Sequence, residues 1–131
     1  MLSFKYIFII FFSIIFLILI FRLLFKRKFY YTSYYCENKE YDINEINMRH
    51  NILSALKKSN FKKIRVDKNK FTAISLPTMS SLSELIRVEI NQVTDSKSVV
   101  RFTSRCFNPI QIFDWGKNRR NSNRFFINLN L

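Results

Sequence analysis

Tyr6 to Phe21 reads YIFIIFFSIIFLILIF, with no charge and a single hydroxyl, Ser13. Arg22 interrupts the run, and Leu23, Leu24 and Phe25 extend it to twenty residues. A helix of ~20 residues at ~1.5 Å per residue crosses a hydrocarbon core ~30 Å thick. The expectation is an N-terminal transmembrane helix, spanning about 6–25, inside a membrane anchor covering 1–28. Arg22 can snorkel to the headgroups. A cleaved signal peptide fits less well, because the run exceeds the usual ~7–15 apolar residues. No small-x-small site follows it, and Cys36 is not preceded by the small residues of a lipoprotein box.

Flanking charge gives an orientation. Lys5 and the amino terminus precede the run; Arg22, Lys26, Arg27 and Lys28 follow it. The positive-inside rule then places the body in the cytoplasm and these four basic residues against lipid. The segment 29–41 begins FYYTSYY, which suits an aromatic juxtamembrane stretch at headgroup depth. The alternative is that these tyrosines start the domain. The expected location is the cell membrane, single-pass.

Lys and Arg total 22 against 9 acids, a formal charge of +13. That balance suggests an anionic partner. Phe, Ile, Lys and Asn dominate and share A/T-rich codons, so part of the lysine excess has a bland reading; the arginines are less easily explained that way. Aromatics make up 17% of the chain, too apolar a composition for disorder. Cys36 and Cys106 form no C-x-x-C pair, which argues against a zinc site and excludes a disulfide framework.

The body, 42–131, has room for a small core. Asp42–Asn60 reads as a helix, with Ile43, Ile46, Leu53 and Leu56 near helical spacing. Asp42 or Asn44 can cap it, Lys57 and Lys58 suit its last turn, and Asn60 can end it. Phe61 folds back on the core. Strand-like runs follow at Lys63–Val66, Lys70–Leu76, Glu84–Val93 and Ser98–Arg105. In the third, Ile86, Val88 and Ile90 alternate with Arg87, Glu89 and Asn91. In the fourth, Val100 and Phe102 face in while Val99, Arg101, Thr103 and Arg105 face out. Such alternation signals an antiparallel sheet with one covered face. Thr94–Lys97 suits a hairpin loop. Asp114 to Leu129 reads as a helix with Phe125, Phe126 and Leu129 inward. The fold class is α+β: an antiparallel sheet of three to four strands, with a helix before it and a helix after it.

Gly116 is the only glycine and stands beside the only tryptophan, Trp115. With Asp114 as N-cap, Gly116 falls in the first helical turn, where glycine costs ~1 kcal/mol relative to alanine. Close approach to the strand ending at Arg105 would compensate. Asn118 can bond that strand's backbone, Arg105 can pair with Asp114, and Trp115 would cover the join. One reading is a structural latch. The other is a small polar-ligand site at Arg105, Asp114 and Asn118.

Ser104-Arg105, followed by Asp114-Trp115-Gly116-Lys117-Asn118 and basic residues, resembles the domain-of-unknown-function family fourteen ninety-nine. Those small bacterial and plastid domains end in a Ser-Arg pair, then Asp-x-Gly-x-Asn, then a short Arg-containing helix. The likeness covers the C-terminal half. It implies a fold and a bacterial origin but no activity.

The search for chemistry finds little. His50 stands alone on the first helix of the body and reads as a surface histidine. There is no nucleophile elbow, and one glycine cannot build a phosphate cradle. The acids show no paired metal spacing; Glu37–Glu45 reads as a solvated helix entry. No cofactor or metal is expected. Lys57–Lys63 and Lys117, Arg119, Arg120 and Arg124 are ordinary solvated faces, or rest on anionic lipid at ~1 kcal/mol per charge, or grip nucleic acid. No recognition motif supports nucleic acid. The leading expectation is a non-catalytic protein acting through membrane lipid or a membrane-protein partner. The alternatives are the polar-ligand site and, more weakly, a membrane-associated enzyme.

Overall fold

The computed structural model describes residues 4–24, 33–79, 81–108, 111 and 114–129, with side chains described for 4–20 of the first segment. The N-terminal helix α1 is Phe4–Leu24. Nothing in it breaks a helix, and Phe4, Phe8 and Phe12 meet at i, i+4 spacing with ring centroids 5.6 and 6.3 Å apart.

Among the described residues, no helix is long and apolar enough to cross a membrane. The expected transmembrane span over 6–25 is corrected by this finding, and with it the single-pass cell-membrane location and cytoplasmic orientation. The run read as the span folds as α1, with side chains described for residues 4–20, and the finding is of those described residues. Lys26, Arg27 and Lys28 lie outside the described residues, as does the side chain of Arg22.

The body is α+β, with five antiparallel strands where three to four were expected. They are β1 (Tyr34–Tyr41), β2 (Lys62–Asp67), β3 (Lys70–Ile74), β4 (Glu84–Thr94) and β5 (Lys97–Cys106), in the order β1-β5-β4-β3-β2. The additional strand is β1, built from the segment read as juxtamembrane. It pairs with β5 along its whole length, Tyr34 opposite Arg105 and Tyr41 opposite Ser98. Asp95 and Ser96 make the β4–β5 hairpin, closed by the Thr94–Lys97 pair, where a hairpin was expected.

Helix α2 (Glu45–Lys58) and helix α3 (Lys117–Leu129) pack together on one face of the sheet. Asn44 caps α2, its Oδ1 accepting from Asn47 N at 2.9 Å. The chain leaves α2 through Asn60 at φ 60°, and Phe61 turns back into the core. The buried stripe of α2 is Met48, Ile52, Ala55 and Leu56, while Ile46 is exposed. Starting the helix at Glu45 puts residues 48, 52, 55 and 56 on one side and Ile46 on the other.

These residues meet Phe71, Ala73, Ile86, Val88, Ile90, Val100 and Phe102 from the sheet and Phe125, Phe126 and Leu129 from α3. Phe102, Phe125 and Phe126 form a ring trio at centroid distances of 5.0, 6.0 and 5.2 Å. Each such pair adds about 0.5–1.5 kcal/mol beyond area burial. The opposite face of the sheet carries neither helix.

Candidate functional site

Two surfaces of the sheet differ in chemistry. On the helix side, one end of the sheet holds a buried polar cluster. Glu84 opens β4 in phase with Ile86, Val88 and Ile90, so its carboxylate points inward and is fully buried. Lys117 opens α3 in phase with Asn121 and Phe125, and its side chain is 5% exposed. The two meet at 2.8 Å between Lys117 Nζ and Glu84 Oε2.

Both ions are completed by other partners. Ser81 Oγ donates to Glu84 Oε1 at 2.6 Å, and Ser75 Oγ donates to Oε2. Asn121 Nδ2 reaches the same oxygen at 3.5 Å. Lys117 Nζ donates to the carbonyls of Leu76 at 2.7 Å and Leu82 at 2.9 Å. Burying an ion pair is costly, and only this full set of hydrogen bonds makes it tolerable. The pair clamps Ser75, Leu76, Ser81 and Leu82 of the β3–β4 connection to the start of α3.

Beside it lies the Asp114 turn. Asp114 Oδ1 accepts from Gly116 N at 2.9 Å and Oδ2 from Asn118 N at 2.7 Å. Burial raises the Asp114 carboxyl above its ordinary value, against the pull of those two amides. Trp115 and Gly116 have φ of 51° and 73°, two left-handed residues in succession. Gly116 O then accepts the first helical bond, from Arg120 N at 3.0 Å. Gly116 is therefore the turn residue before α3, not part of its first helical turn as expected. A Cβ would oppose that φ. Trp115 does not cover the join; it is 64% exposed.

Ser104 Oγ donates to Asn118 Oδ1 at 2.6 Å, and Asn121 Nδ2 donates to Ser104 Oγ at 3.3 Å. Asn118 thus grips the β5 side chain, where a backbone bond was expected. Asn118 Nδ2 also reaches Cys106 Sγ at 3.7 Å, and burial pushes the Cys106 thiol up to about 11. Glu37 on β1 joins the row, accepting from Ser122 Oγ at 2.6 Å.

Of the sequence candidates, Ser104, Asp114, Gly116 and Asn118 come together. Arg105 does not. Strand alternation turns it to the open face, where it is exposed and stands between Tyr34 and Leu85. Arg105 makes no ion pair among the described residues, so the expected Arg105–Asp114 pair is absent. Sequence reasoning missed Ser75, Ser81, Glu84 and Asn121, and placed Lys117 on a solvated face. The phases of Glu84 with Ile86 and of Lys117 with Phe125 were the available signals. His50 is exposed, and no group of three potential metal ligands occurs among the described residues.

The second surface is the open sheet face. Register places Arg65, Thr72, Arg87, Thr103 and Cys36 in one row across all five strands. Arg101 and Arg105 flank Thr103 two residues away on either side. With strands ~4.8 Å apart, Arg87, Arg101 and Arg105 sit within a few side-chain widths of each other. Glu89 opposite Arg101 is the acid in register with them. Arg65, Arg87, Arg101 and Arg105 are all exposed.

No family model, curated protein or solved structure matches the chain.

Proposed function

We propose that this chain is a non-catalytic interaction domain that presents its basic sheet face to an anionic partner. In this reading the polar cluster is the latch that holds α3 in place. The observation that carries it is the Lys117–Glu84 pair: these two buried charges are matched to each other, while Arg87, Arg101 and Arg105 stand exposed with Glu89 as the acid in register. A small polar-ligand site at Arg105, Asp114 and Asn118 would need three residues that lie on two faces. Kinship with family fourteen ninety-nine stays a proposal beside this one, resting on Ser104-Arg105 and Asp114–Asn118.

Retention on immobilised heparin tests the reading. The full chain should be retained at low salt and released as salt rises. The Arg87→Ala/Arg101→Ala/Arg105→Ala variant should melt like the parent and elute much earlier. Equal retention of the folded triple variant would overturn the proposal.

A further inference from the structure

The irregular segments at one end of the sheet expose large apolar side chains. Met79 is fully exposed; Leu82, Phe107 and Trp115 are 55%, 70% and 64% exposed. They belong to different loops but to one rim. Phe107 N donates to Ser83 O at 3.1 Å, and Gln111 Nε2 donates to Ser81 Oγ at 2.8 Å. Lys117 Nζ holds the Leu76 and Leu82 carbonyls just after the Trp115 turn. Arg120 Nη1 donates to Trp115 O at 2.7 Å. Arg105 lies two residues before Phe107, so the rim borders the basic face.

We infer that this rim docks in the headgroup layer of an anionic bilayer, with Met79, Leu82, Phe107 and Trp115 entering the interface and Arg105 and Arg120 meeting lipid phosphates. This is contact with a surface, not a crossing. It rests on the proposed function and names the anionic partner. The chemistry favours lipid over nucleic acid. A polynucleotide offers phosphates but no apolar volume for Met79 and Leu82, whereas the bilayer interface accepts aromatic rings, aliphatic tips and arginines together. Loops tied by Lys117 hold these tips in position before contact, which limits the ordering cost of docking.

Trp115 is the only tryptophan, so its fluorescence reports the rim alone. The full chain is mixed with vesicles of phosphatidylcholine, or of equal parts phosphatidylcholine and phosphatidylglycerol, with and without brominated acyl chains. Expected are a blue shift and bromine quenching on the anionic vesicles, reversed by salt. Each of Arg105→Ala and Arg120→Ala should weaken the response about fivefold. Met79→Ser/Leu82→Ser should abolish the blue shift while circular dichroism stays unchanged. Two results overturn the inference: Trp115 emission that stays solvent-like on anionic vesicles, or an equal shift on phosphatidylcholine alone. If salt-sensitive heparin retention through Arg87, Arg101 and Arg105 survives either result, the proposed function stands and only the lipid assignment falls. If vesicle binding persists without any Trp115 response, lipid meets another surface and the assignment of this rim falls.

Discussion

Lys117 Nζ stands 2.8 Å from Glu84 Oε2, with both side chains withdrawn from water. Removing one partner leaves the other charge buried and uncompensated, a loss of about 3–5 kcal/mol. Glu84→Ala and Lys117→Ala should each show that loss in urea denaturation. The Glu84→Leu/Lys117→Met pair should recover part of it, short of the parent, because Ser75, Ser81 and the Leu76 and Leu82 carbonyls lose their partners. Single variants within about 1 kcal/mol of the parent would show that the pair is not a latch.

Gly116 and Trp115 should respond in opposite directions. Gly116→Ala puts a Cβ at φ 73° and should cost about 1–2 kcal/mol. Trp115→Asn replaces a bulky left-handed residue with one that tolerates the conformation, so thermal stability should hold or rise. A steep fall in the melting temperature of Trp115→Asn would mean that the indole packs after all.

Asp114 gives a pH signature. Its carboxyl is raised above the ordinary value by burial, so the folded state holds the proton to higher pH than the unfolded state. Its contribution is therefore largest below the unfolded value and declines as pH rises toward the folded one, then stays constant. Asp114→Asn should remove that decline from a stability-versus-pH curve and lower stability by about 1 kcal/mol at neutral pH, through loss of one amide acceptor. Superimposable slopes for variant and parent between the two values would contradict the assignment.

Arg105→Ala should leave stability within about 0.5 kcal/mol of the parent, since the side chain lies on the open face. Thermal melts decide this directly. A large drop would return Arg105 to the latch.

The two thiols should separate by exposure. Cys36 is exposed on β1, while Cys106 is buried with its thiol near 11. A disulfide reagent at mildly alkaline pH should titrate one thiol quickly in the folded chain and two in denaturant. Rapid reaction of both without denaturant would place Cys106 at the surface.

The sequence reveals the parts of the fold that obey strict periodicity. The alternation of Ile86, Val88 and Ile90 marks β4, and Phe125, Phe126 and Leu129 mark the inner side of α3. β1 escapes because its inward residues are Tyr35, Glu37, Lys39 and Tyr41, which carry polar tips. Glu37 reaches Ser122, and Lys39 Nζ lies 4.3 Å above the Phe126 ring, so apolar stems and rings do the covering. The same habit hid the cluster. Glu84 and Lys117 occupy inward phases, yet their charge suggests solvent unless the partner is known. The pairing links residues far apart in sequence, and no local pattern reports it.

The strand opening the folded body is completed by the one synthesised last. Cys36 and Thr103 are opposite each other across 67 positions of chain. During synthesis, β1 has no neighbour until β5 leaves the ribosome, whereas β2 to β5 can zip as a local meander. Assembly should thus proceed from the meander outward, with β1 docking late and Tyr34–Tyr41 exposed as a bare edge in the interval.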